Sequence, residues 1–149
     1  PGSALLFPMR ISDPRHPEHS VVRTVLAVDE AAGSMTFAGD MPQGWTAQLM
    51  RGNFGRLCAG AAEATHKAAA GFAGAEADSA AILVSCIGRR LLMGQRIDEE
   101  IEAAAAELPA RCQPVGFYSY GESSPHVSSG QPQLHNQSMT VTRIRERVA

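Results

Sequence analysis

The sequence is poor in aromatic residues, which make up 5% of its 149 positions. Its core must therefore be built from small and aliphatic side chains, and alanine crowds the stretch from Ala59 to Ala81. Cysteine is scarce and odd in number: three residues, far apart, with no CxxC pair. That excludes a disulfide-stapled scaffold and predicts a reduced, cytoplasmic protein. No apolar run approaches about 18 residues, so no membrane-spanning helix is expected. Neither sign of charge dominates, with 13 basic against 15 acidic residues and a net charge of -2. The chain thus lacks the basic footprint of a nucleic-acid binder. It also lacks GxGxxG and P-loop patterns, so nothing points to nucleotide chemistry.

What is present is sufficient for folding. Hydrophobic residues at 44% against 19% charged exclude a disordered chain. The length suits one ordinary domain or one half of a larger one. The opening Pro1-Gly2-Ser3 runs directly into Ala4-Leu5-Leu6-Phe7 and reads as a cut from a longer protein.

Ala4 to Ile11 reads as a short strand, and Ser12 to Ser20, with two prolines and several charges, as a surface loop. Val21 to Asp29 is rich in β-branched residues and reads as a strand. A turn at Gly33 and a returning strand over Ser34 to Ala38 follow. Trp45 to Arg51 is a further strand, completing an antiparallel meander. At Asn53 the period changes. Phe54, Leu57, Cys58, Ala61, Thr65, Ala68 and Phe72 recur at helical spacing, with Asn53 as cap and Gly71 or Gly74 as stop. A linker over Ala75 to Ser79 precedes a central strand over Ala80 to Cys86. Arg89 to Met93 suits a helical turn. Asp98 to Leu108 is the second clear helix, capped by Asp98, packed through Ile101, Ala104, Ala105 and Leu108, and stopped by Pro109. Val115 to Tyr118 and Met139 to Arg145 are strands. The expected fold is α+β: a mixed, largely antiparallel sheet with two main helices packed on it.

Three segments concentrate polar chemistry. In Ser85-Cys86-Ile87-Gly88-Arg89-Arg90 a buried strand ends at a glycine and two arginines, a place for an anion. The alternative is that Arg89 or Arg90 pairs with Glu99 or Glu100 on a solvated surface. In Gly116 to Glu122 adjacent aromatics precede a carboxylate, and Tyr120 and Glu122 share a direction if the chain stays extended. In Leu134 to Thr140 the run His135-Asn136-Gln137 precedes a strand. Buried amides there need complete hydrogen bonding, from a ligand or from an internal network. His126 lies in the Gly- and Ser-rich stretch Gly121 to Gly130, read as a mobile loop able to cover such a site.

Other chemistries use the same residues. Cys86 with His135 and either Asn136 or Glu122 has the residue types of a cysteine-nucleophile hydrolase. His126, His135, Glu122 and Cys112 can converge on a metal. His16 and His19 are three apart but in a charged loop without a matching pair. A haem bound non-covalently can take one axial histidine. A purely structural or protein-interaction module remains a further reading. We expect no metal, no cofactor and no catalysis, with Arg89 meeting a ligand carboxylate and Tyr120, Glu122, His135, Asn136 and Gln137 supplying directional contacts.

The blocks Val21 to Asp29, Phe37 to Gly44, Cys86 to Arg90, Gly116 to Glu122 and Leu134 to Thr140, taken in order, resemble the FIST C-terminal domain. The resemblance implies a lead-in strand and loop over 1–20 and a ligand-sensing domain over 21–149. It implies a sensory module of bacterial signal-transduction proteins, found also in some F-box proteins. Amino acids and related small molecules are its proposed ligands, and haem-based gas sensing occurs in some members. It further implies an upstream FIST N-terminal portion and a signalling partner or output domain.

Overall fold

The computed structural model describes residues 2–71, 78–126 and 129–146. Phe72, expected on the first helix, Gly74 and most of the Ala75 to Ser79 linker lie outside the described residues. The fold is α+β as expected, with sheets of mixed sense and helices packed on one of them.

A 3-10 turn over Gly2–Leu6 leads into strand β1 (Met9–Asp13), so the strand expected from Ala4 begins later. The stretch expected to be a surface loop is a hairpin: β2 (His16–Arg23) returns antiparallel to β1 after a turn at Pro14-Arg15. Asp13 closes that turn by accepting the Arg15 backbone N–H at 2.9 Å. Pro17 is tolerated because β2 is an edge strand, where a missing donor faces no partner. On β1 the alternation buries Ile11.

The strand expected over Val21 to Asp29 breaks at Thr24. Its second part, β3 (Val25–Asp29), pairs with β4 (Ser34–Phe37) in a separate hairpin that turns through Gly33 at φ 59°. Strand β5 (Thr46–Leu49) adds to the other side of β1, giving the order β2-β1-β5.

Helix α1 (Phe54–Ala70) is capped by Asn53, whose side chain accepts the Arg56 N–H at 3.0 Å, and it ends at Gly71. The second sheet has the order β10-β6-β7. Its centre is β6 (Ser79–Cys86), parallel to β7 (Cys112–Ser119) and antiparallel to β10 (Met139–Arg145). Between β6 and β7 run α2 (Ile87–Met93) and α3 (Ile97–Ala105), joined by a 3-10 turn. Asp98 lies inside α3 instead of capping it. The buried residues of α3 are Glu100 and Ala104, while Ile101 stays exposed.

The core is small-residued, as composition requires. Ala61 of α1 and Ala104 of α3 meet Ala81, Leu83, Cys112 and Met139 of the sheet. Alanine on both helices lets them approach the sheet closely, so packing substitutes for bulk. Gly116 permits the same closeness between strands, since a Cβ there would collide with the Leu83 carbonyl oxygen. The last surprise is local: the expected loop from Gly121 is strand β8 (Glu122–Pro125), paired antiparallel with β9 (Pro132–His135).

Candidate functional site

The β6 strand delivers Arg89 into the protein at the start of α2, where it is 4% exposed. Its Nε donates to Glu100 Oε2 at 2.5 Å. Its Nη2 donates to the Leu57 carbonyl at 2.7 Å and its Nη1 to the Gln137 carbonyl at 3.3 Å. Glu100 is completely buried, and its other oxygen accepts the Ser85 hydroxyl at 2.7 Å. The pairing anticipated for a solvated surface therefore forms inside the protein. It joins α2, α3, the first turn of α1 and the turn before β10. A buried ion pair is tolerable only when its remaining donors and acceptors are also matched, as they are here. Arg89 consequently acts as a positioning group, and its fork is not presented to an outside carboxylate.

The β8–β9 register sets Glu122 opposite His135. Glu122 is buried, and its two oxygens accept hydroxyls from Ser119 at 2.7 Å and Ser138 at 2.6 Å. Asn136, also buried, accepts the Thr24 N–H at 3.4 Å and donates to the His135 carbonyl at 3.2 Å. Gln137 sits in the left-handed region at φ 52°, which costs a non-glycine residue roughly 1 kcal/mol. Its amide donates to the Leu5 carbonyl at 2.9 Å. Tyr120 is 88% exposed and takes no part in this network. A bend after β7 interrupts the extended run that would have aligned it with Glu122. Five of the six expected site residues thus come together, as a self-satisfied internal network.

His135 is half-buried, with Nε2 at 3.3 Å from the Ser124 carbonyl and its ring stacked on His126 at 6.2 Å. Burial holds its pKa below the ordinary 6.5, and the Ser124 carbonyl opposes this only in part. The ring is therefore neutral at pH 7, with the proton on Nε2 where it can donate to Ser124. Cys86 is buried, and burial pushes its thiol above the ordinary value. That is the opposite of what a nucleophilic thiolate needs. Cys112 belongs to the hydrophobic core at the far end of β7 from Glu122, so it does not join His126 and His135.

A second feature, not expected from the sequence, lies where the N-terminal turn meets the start of α1. The Gly52 N–H donates to the Leu6 carbonyl at 2.7 Å, and the Met50 N–H to the Pro8 carbonyl at 2.9 Å. These bonds lay the 3-10 turn alongside the lead into α1. Between them opens a cleft of about 660 Å³, lined by Leu6, Phe7, Arg51, Gly52, Asn53, Phe54 and Arg56. That size is ordinary for a small-molecule site. Next to the lining residues Arg56 and Leu6, Arg89 holds the Leu57 carbonyl and Gln137 the Leu5 carbonyl. The first turn of α1 contains no acidic residue. No acid lines the cleft, and neither Arg51 nor Arg56 forms an ion pair among the described residues. The nearby Arg96 stacks on Phe54 at 4.9 Å but is neutralised by Glu99 through two bonds of 2.7 Å. The positive end of a 17-residue helix adds to the two arginine charges. The legible signal was the string Arg51-Gly52-Asn53-Phe54-Gly55-Arg56, two cations flanking a helix cap.

No helix is long and apolar enough to cross a membrane among the described residues. No curated protein and no solved structure matches the chain. The FIST C domain matches over residues 1–125, which takes in the lead-in 1–20 and stops before the block Leu134 to Thr140. By that match the chain belongs to the FIST C domain family, a family of sensory signalling domains.

Proposed function

We propose that this domain senses a small carboxylate-bearing ligand of amino-acid size, held in the cleft at the start of α1, and performs no chemistry on it. The observation that supports this reading is the pair Arg51 and Arg56 in an open cleft without acidic residues, in a chain of net negative charge. A guanidinium fork suits a planar carboxylate, and the helix end adds to the attraction. Phe7 and Phe54 offer apolar walls for the rest of the ligand. Arg89 and Gln137 serve by holding the segments beside the cleft, and Glu122, Asn136 and Tyr120 do not touch it.

Ligand binding would act by favouring one of two arrangements of the attached upstream portion or output domain. The three free thiols fit a cytoplasmic setting. For His135 to ligate haem through Nε2 it would first have to release Ser124, which leaves that reading without support from the local geometry.

The test is calorimetric titration of amino acids and dicarboxylates into the wild-type chain and an Arg51→Ala/Arg56→Ala variant. The variant should bind at least about tenfold more weakly, the loss of one charge-assisted contact of the usual strength. Equal affinity in the two proteins would remove the cleft from consideration.

A further inference from the structure

Four of the five histidines form one row, although they come from opposite ends of the chain. The rings of His16 and His19 are stacked at 5.4 Å, His126 stands edge-on to His19 at 5.8 Å, and His135 follows at 6.2 Å. His126 is fixed in the row by its Nε2, 3.0 Å from the Ser20 carbonyl. At the outer end of the row Glu18 lies between the first two rings. Its Oε1 is 3.4 Å from His16 Nδ1 and 3.8 Å from His19 Nε2. One ring nitrogen from each histidine and one carboxylate oxygen lie within 4.8 Å of one another.

A regular strand would send His19 to the face opposite His16 and Glu18. Here the β1–β2 ladder is irregular at Asp13, directly across from His16, and all three side chains meet. We propose that His16, Glu18 and His19 form a surface site for a divalent transition ion of the zinc class, with water completing the shell. Two imidazoles and one carboxylate are a donor set that such ions take, and that calcium and magnesium, which want oxygen, do not. Bonds of about 2.0–2.1 Å place tetrahedral ligands about 3.3 Å apart, so the present spacing needs only small side-chain rotations to close. His16 and Glu18 are more than half exposed, which gives the ion an entry path and room for water. Behind them the packed His126 ring supports His19. The site is remote in sequence from Arg51 and Arg56 and does not depend on the carboxylate-binding cleft.

The experiment titrates zinc chloride into the tag-free chain by calorimetry, with magnesium chloride as control. Histidine ring resonances are followed by NMR. Zinc should bind one to one, shift the His16 and His19 rings most, and leave His66 unmoved. His16→Ala/His19→Ala should weaken binding at least about a hundredfold and Glu18→Gln about tenfold. His66→Ala should change nothing, and copper should bind more tightly than zinc. All three substitutions lie in the first half of β2, where His16 and Glu18 are exposed and His19 is half-buried, and circular dichroism of each variant checks that the fold persists. Zinc binding as strong in the folded double variant as in the wild type, or no stronger than magnesium in the wild type, would overturn the proposal.

Discussion

Arg89 and the pair Arg51/Arg56 carry the same guanidinium into opposite circumstances. Arg89 is enclosed, matched to Glu100 and capped by two carbonyls. Arg51 and Arg56 face a cleft with no acid on its walls. The residue type therefore says little by itself, and what decides an arginine's role is whether its donors are already used. The buried one ties α1, α2 and α3 together, and the exposed ones give the cleft its charge.

This contrast can be broken experimentally, starting with its most costly element. Arg89→Ala leaves Glu100 buried without a counter-charge, and should destabilise the domain by about 3–5 kcal/mol in urea unfolding. Arg89→Met combined with Glu100→Leu should recover most of that loss, because two apolar side chains need no matching. If the double variant is as unstable as the single one, the pair is not acting as a unit. Next in size, Asn53→Ala removes the cap of α1 and should cost about 1 kcal/mol in the same measurement.

A smaller effect concerns pH. The folded pKa of His135 lies below the ordinary 6.5. Protonation thus favours the unfolded chain, and stability falls as pH drops from about 6.5 through the folded value. His135→Asn should flatten the difference in unfolding free energy between pH 7.5 and pH 5.5, and an unchanged difference would mean that folding does not alter the ring's pKa. The smallest expected effect is that of Arg51→Ala/Arg56→Ala on folding, within about 0.5 kcal/mol. A large destabilisation there would erase the distinction between the arginine that ties the helices and those that charge the cleft.

The α+β class, α1 with its Asn53 cap, and the central β6 were all legible in the sequence, because helical periodicity and a short apolar run are local signals. The hairpin from Asp13 to His16 was not, since two prolines and several charges outweighed a weak strand pattern. Edge position, which makes Pro17 harmless, is a property of the sheet and not of the segment. Glu100 was similarly masked. Placed near a helix start, it reads as a dipole partner, yet it shares a helical face with Ala104 and turns inward. Glu122 and His135 are cross-strand neighbours, Arg89 reaches the Gln137 carbonyl from α2, and Tyr120 stays outside. That pairing was not legible, because Gly121 to Gly130 reads as a loop, and neither was the purpose of these residues. Whether a polar cluster serves a ligand or the fold depends on how completely its hydrogen bonds close, and that is settled only in three dimensions. The shape of the cleft was invisible for a related reason, since Leu6 and Pro8 are joined to Gly52 and Met50 by backbone bonds that leave no trace in residue type.

Pro17 on β2 has a counterpart in Pro114 on β7, and both strands stand at the end of their sheets. Each therefore offers a newcomer an interrupted row of donors. A strand from another protein could not zip along either border without meeting a gap. On β7 the side chains of Val115 and Phe117 are nevertheless exposed. Those two side chains leave apolar surface open to solvent beside a border that cannot be extended without a gap.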